Sequence, residues 1–187
     1  DVMYDASGNS LGGSVLEHVQ VRYGGGGADG WSSGAVTTSG TAVLFNHVVV
    51  EHSASSGLLI SKPDGGSTVP LTKVVNSTLR LNAGRGFSIY GRYRGALTID
   101  NSQVIENGGD GINLGSESSG PFVITANVVS NNGSNVQGGK GIIANVNGNG
   151  PGASGPALIV SSNTISDNLQ GGVFSRGNGQ YTIVGNQ

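Results

Sequence analysis

Apolar and polar positions along the chain recur in columns rather than at helical or heptad spacing. Leu16, Leu44, Val74, Ile99, Ile124, Val160 and Ile183 each stand three positions before Val19, His47, Ser77, Ser102, Asn127, Asn163 and Asn186, and this pairing returns every 23 to 36 residues. Two positions after the second column come Val21, Val49, Leu79, Val104, Val129 and Ile165, and five after it come Gly24, His52, Asn82, Asn107, Asn132 and Asn168. A few aliphatics and a polar corner at a repeating interval describe a solenoid, in which one coil cannot bury its own apolar face and its neighbours complete the core. Between corners, alternations such as Ile99, Asn101 and Val104 send alternate side chains inward, as in a strand. A glycine follows each second corner (Gly34, Gly57, Gly86, Gly111, Gly141, Gly172) and opens a third short strand such as Phe87-Ser88-Ile89. Glycine there suits a positive φ or close approach of the next coil. The predicted fold is all-β, a solenoid of about six to seven coils with three short strands each, in a single domain over residues 1–187.

The third and fourth coils keep strict register at a spacing of 25, which aligns Asn82 with Asn107, Gly86 with Gly111 and Gly95 with Gly120. Insertions therefore localise to Gly24–Trp31, Ser61–Thr68, Gly133–Gly139 and Asn145–Ser154, where loops that bind are expected. Composition narrows the class. With 35 glycines among 187 residues, 11% charged and 5% aromatic, the chain lacks the residues of a helical bundle. It contains no cysteine, so disulfides and thiolate metal sites are excluded and stacking must supply the stability. The formal charge of −2, with nine scattered Lys and Arg, leaves no basic stripe for nucleic acid. No apolar run is long enough for a transmembrane segment. The chain opens on Asp1 and ends on a coil begun at Tyr181, so it reads as an excerpt of a longer chain, with a neighbouring domain or subunit expected against the C-terminal coil.

Three segments carry a resemblance to a known family: Leu16-Glu17-His18-Val19-Gln20-Val21-Arg22-Tyr23-Gly24, Asn101-Ser102-Gln103-Val104-Ile105-Glu106-Asn107-Gly108 and Ser162-Asn163-Thr164-Ile165-Ser166-Asp167-Asn168. The chain resembles the right-handed parallel β-helix proteins of the pectin-lyase-like superfamily from about Gly13 to Asn186. That resemblance implies the fold. It does not select among the superfamily's lyases, polygalacturonases, epimerases, tailspikes, adhesins and modules without known chemistry. The clustered aspartates and Gly-His-Gly strand of polygalacturonase-like relatives do not occur among Asp1, Asp5, Asp29, Asp64, Asp100, Asp110 and Asp167.

One cluster bears on function: Arg80, Arg85, Tyr90, Arg92, Tyr93 and Arg94. The 25-residue register sets Arg85 against Asp110 and Arg92 against Glu117 as inter-coil ion pairs, which assigns those two to structure. Arg80, Tyr90, Tyr93 and Arg94 find no such partners and are the expected binding residues for a sugar or anionic polysaccharide. The sequence names no catalytic residue. It assigns Asn82, Asn107, Asn132, Asn168, Asn127 and Asn163 to structural amide ladders.

Other motifs reduce to fold. His47 and His52 read as inward corner residues, and His18 has no second ligand at strand spacing, so no metal and no cofactor are assigned. Gly24 to Ser32 matches one copy of the calcium nonapeptide, which needs tandem copies, and Gly30-Trp31-Ser32-Ser33-Gly34 matches a hydrolase pattern without the helix that motif requires. The sequons at Asn76 and Asn132 read as lying in or beside inward columns where a glycan has no room. The outward third-strand positions Val36, Leu59, Ser88, Asn113, Ile143 and Phe174 are apolar at both ends of the stack, which fits scattered surface exposure, the reading slightly favoured, or a surface covered by another domain or subunit. The expected function is an extracellular or cell-surface, secreted β-helix scaffold that displays a glycan- or protein-binding surface for adhesion. The alternative is a polysaccharide lyase or epimerase acting on a uronate polymer.

Overall fold

A computed structural model of the chain describes residues 3–4, 10–26, 33–61, 71–91, 93–115, 118–134, 138–149 and 157–187. Arg92, Glu117, Asp29, Gly30, Trp31 and Ser32 lie outside them, as does part of each expected insertion. The described chain is a parallel β-solenoid with three sheets. The first sheet stacks seven strands, from Val15–Glu17 through Leu44–Asn46, Leu71–Val75, Ala96–Asp100, Phe122–Thr125 and Leu158–Ser161 to Tyr181–Val184. The second stacks Gln20–Arg22, Val49–Glu51, Thr78–Arg80, Gln103–Ile105, Val128–Ser130 and Thr164–Ser166. The third runs from Gly34–Ser39 through Ser56–Ser61, Phe87–Tyr90, Ile112–Asn113 and Lys140–Asn149 to Gly171–Arg176. Six strands in the second sheet are separated by five inter-coil steps, so the stack makes about five turns, slightly fewer than the expected coil count. Ser118–Gly120 adds a strand beside Lys140–Asn149, and Met3–Tyr4 pairs antiparallel with Ser10–Gly12 at the N-terminal end.

The core is a set of columns. Phe45, Val74, Ile99, Ile124 and Val160 from the first sheet, Val50, Leu79, Val104 and Val129 from the second, and Leu58, Phe87, Ile112 and Ile142 from the third are all fully buried. At about 25 cal/mol per Å² of apolar surface removed from water, such columns are the main favourable term, and each coil contributes only through its neighbours.

Two corners per coil set the geometry. In the first, His18, His47, Asn76, Asn101, Ala126 and Ser162 have φ between 46 and 57°; in the second, Tyr23, His52, Leu81, Glu106, Asn131 and Asp167 have φ between 54 and 57°. Each left-handed residue turns the chain so that the next side chain points inward, where the ladders stand. Asn107 Nδ2 donates to Asn132 Oδ1 (3.0 Å) and to Leu79 O (3.0 Å), while its Oδ1 accepts from the backbone N–H (3.2 Å) and Nδ2 (2.9 Å) of Asn82. Asn132 continues to Asn168 (2.9 Å), and a parallel ladder at the first corner links Asn127 to Asn163 (3.0 Å) and Asn163 to Asn186 (2.9 Å). The glycine column makes room for this. A Cβ on Gly86, Gly111 or Gly141 would stand 2.8, 2.9 or 2.8 Å from the Nδ2 of Asn107, Asn132 or Asn168, so close approach rather than positive φ requires glycine there.

The second coil corrects the sequence columns by one residue. Phe45, not Leu44, pairs with Val74, and the offset carries through, so that Val48 N donates to Ser77 Oγ, Val50 pairs with Leu79 and Ser53 N donates to Asn82 Oδ1. His47 and His52 are therefore exposed corner residues, not inward ones. In the third sheet Val36 pairs with Leu58 on the inward side, and Thr37 pairs with Leu59 in the outward column. Leu59 and Ser88 are nonetheless fully buried on that outer side. Asn132 is buried, but Asn76 is exposed on the corner, beside the inward column rather than in it.

Candidate functional site

The expected binding residues separate in space. Tyr93 is core: it is 1% exposed, its ring packs 6.0 Å from that of Phe122, and its hydroxyl donates to Ala96 O (3.1 Å). Burial pushes its phenol above the ordinary value. Arg80 is not partnerless, because its Nε donates to Glu51 Oε2 (2.7 Å). Arg94 is exposed and forms an isolated parallel bridge to Ser119. Tyr90, at the end of Phe87–Tyr90, is half exposed and stands at a surface groove.

Glu51 explains Arg80. Its carboxylate is 1% exposed on the second sheet, between Arg22 of the preceding coil and Arg80 of the following one, and it also accepts from Gln20 Nε2 (3.0 Å). Hydrogen bonds from Arg80 and then Arg22 bring its carboxyl from 4.5 down to about 2. The corrected offset shows the pattern in the sequence, since Arg22, Glu51 and Arg80 follow one another at intervals of 29 residues.

The groove lies across the outer side of the third sheet and has a volume of about 530 Å³. Register builds it. Ser88, Asn113, Ile143 and Phe174 form one outward column. Two residues on, Asn145 pairs with Arg176, and Tyr90 and Gly115 line the same groove. The chain remains extended from Lys140 to Asn149, past the point where the sequence predicts an insertion, and this carries Asn145 into the groove wall.

Arg85 forms the other edge. Its Nε lies 3.4 Å from Asp110 Oδ2, the ion pair expected from the 25-residue register, and it also lines the groove. Asp110 organises this edge by accepting from Asn113 Nδ2 (3.3 Å) and from the backbone N–H groups of Gly139 (3.0 Å) and Lys140 (3.1 Å). Asn113 Oδ1 in turn accepts from Gly115 N (2.8 Å), which fixes the amide at the groove floor. Burial lowers the Arg85 guanidinium from its ordinary value, and the charge of Asp110 opposes that shift. Lys140 Nζ lies 5.4 Å from the centre of the Phe174 ring, so a third cation stands near the same face. Sequence reasoning missed Arg176, although the alignment of Ile143 with Phe174 already places Asn145 and Arg176 opposite each other.

Elsewhere, Glu17, His18 and His47 bring three potential ligand atoms within 4.8 Å of one another. The second ligand denied to His18 by the sequence columns is His47, one coil away. Among the described residues no helix is long and apolar enough to cross a membrane.

Among curated proteins, the chain is similar to Protein bark beetle of Drosophila melanogaster, at 31% identity over 99 residues, which is 53% of this chain and 3% of that protein. So small a share of the relative gives no basis for carrying over what the whole protein does. No solved structure matches. The family model described as right handed beta helix region matches residues 27–187, and with the three stacked parallel sheets this places the chain in the right-handed β-helix family.

Proposed function

We propose that this β-helix is an extracellular scaffold whose third-sheet groove binds an acidic, uronate-containing polysaccharide. The observation that carries the reading is the juxtaposition in one groove of Arg85, Arg176 and the half-exposed ring of Tyr90, with the amides of Asn113 and Asn145 between them. Guanidinium forks match carboxylates in geometry, an aromatic face stacks on a sugar ring, and amides hydrogen-bond hydroxyls. A rigid stack with fixed inter-coil spacing holds these groups in place before the ligand arrives, which lowers the ordering cost of binding.

The reading moves the binding residues from the expected set. Tyr90 stays, Arg85 and Arg176 enter, and Tyr93, Arg80 and Arg94 leave. Retention on immobilised polyuronate tests it. Arg176→Ala and Tyr90→Ala are expected to weaken retention without lowering the melting midpoint, while Arg94→Ala is expected to leave both unchanged. Loss of retention in Arg94→Ala with none in Arg176→Ala would move the site off the groove.

The enzymatic alternative, a lyase or epimerase, asks for a base beside a group that neutralises the uronate carboxylate. An arginine guanidinium stays protonated in proteins, which suits Arg85 and Arg176 to carboxylate neutralisation rather than proton removal. Unsaturated product absorbing in the ultraviolet on incubation with polyuronates would establish the lyase reading over the scaffold.

A further inference from the structure

The first corner of the first two coils carries a second constellation, independent of the groove. Glu17 pairs with Asn46 in the ladder, so the residues that follow, His18 and His47, sit one coil apart. Both have φ of 53°, and identical backbone geometry throws both rings the same way: their centroids are 4.8 Å apart and their planes 18° from parallel. Asparagine fills the same column at Asn76 and Asn101, so the left-handed corner has no need of imidazole. Two successive imidazoles beside a carboxylate are a donor set that borderline divalent metals take.

We propose that Glu17, His18 and His47 form a binding site for one divalent transition-metal ion of the zinc or copper class. The ligand atoms lie within 4.8 Å of one another, and all three residues are exposed. Tetrahedral coordination at zinc–ligand distances of about 2.0–2.2 Å sets ligand atoms about 3.3 Å apart. Rotation of exposed side chains closes the remaining gap without disturbing the core. The carboxylate is already held from behind. Asn46 Nδ2 donates to Glu17 Oε1, Asn76 Nδ2 donates to Asn46 Oδ1 (2.9 Å), and Asn101 Nδ2 donates to Asn76 Oδ1 (2.7 Å). This relay of amides across the coils is the outer shell that orients a ligating carboxylate. Three protein ligands leave a fourth position to water or to an anionic group brought by a partner.

The test is calorimetric titration of Zn²⁺ into the untagged chain, followed by Cu²⁺ loading and electron paramagnetic resonance. The expected results are one equivalent of Zn²⁺ and a Cu²⁺ spectrum showing two coordinated imidazole nitrogens. His18→Asn and His47→Asn, which install the residue already resident at Asn76 and Asn101, should each weaken Zn²⁺ binding about 10-fold or more and leave one nitrogen in the spectrum. Glu17→Gln should weaken affinity while keeping both nitrogens. His52→Asn, at the exposed second corner, should change neither readout. No saturable Zn²⁺ binding by the wild-type chain would overturn the proposal, as would an equivalent that survives the His18→Asn, His47→Asn double variant or is lost in His52→Asn.

Discussion

At the scale of single residues, Asn107 shows what the fold demands. It is fully buried, yet both of its amide hydrogens and its carbonyl oxygen are engaged, by Leu79 O, by Asn132 Oδ1 and by two donors of Asn82. A buried polar group so matched contributes modestly when intact and costs heavily when its partners are stranded. Asn107→Leu should therefore destabilise the protein by about 1–3 kcal/mol, since Asn82 and Leu79 would keep buried groups without their partner. Denaturant midpoints decide it, and a variant as stable as the wild type would remove the ladder from the list of what holds the coils together. This residue was legible from spacing alone, because an amide recurring every 25 residues at a corner has few other physical uses.

At the scale of elements, the difficulty was register. The strands of the first and second sheets are only three to five residues long, and in the second coil Leu44-Phe45 and Val49-Val50 offer two adjacent apolar residues for each inward place. Either choice preserves the apolar pattern, but a slip of one residue turns every side chain to the opposite face. The sequence columns took Leu44, and so put His47 and His52 inside and hid the alignment of Arg22, Glu51 and Arg80. Inter-coil hydrogen bonds at Val48 and Ser53 settle the register that composition left open. The Arg–Glu–Arg clamp that results has a definite pH signature. The folded Glu51 carboxyl, at about 2, lies below its ordinary 4.5, so the clamp's stabilisation is fully present above 4.5 and is lost as pH falls through 2. The stability difference between wild type and Glu51→Gln, followed by thermal melts, should be constant at neutral pH and shrink across that acid window. A difference that does not change with pH would mean that Glu51 is not held as an ion between the two guanidiniums.

At the scale of the whole molecule, the solenoid makes one rigid surface from residues far apart in sequence. Fold was readable because a repeat states itself several times over. The groove was only partly readable, because it needs residues from four coils whose spacing is interrupted by insertions. Tyr90 and Arg85 both belong to the regular stretch: Tyr90 is read there as a binding residue, whereas Arg85 is paired correctly to Asp110 but assigned to structure alone. Arg176 lies beyond the fifth coil's irregular segment, and its role becomes visible only once the long strand Lys140–Asn149 is laid beside Gly171–Arg176. Tyr93 was misassigned because an aromatic among arginines looks the same in sequence whether its ring faces solvent or fills the core.

The central claim is that the outer side of the third sheet is the ligand-binding face. Titration of an isotope-labelled sample with a short oligouronate, followed by amide chemical-shift mapping, tests it most directly. The account predicts saturable shifts centred on Tyr90, Asn113, Gly115, Asn145 and Arg176, with the second-sheet strand Thr78–Arg80 unaffected. Shifts centred on Arg80 or Arg94, or no saturable change at any position, would contradict it.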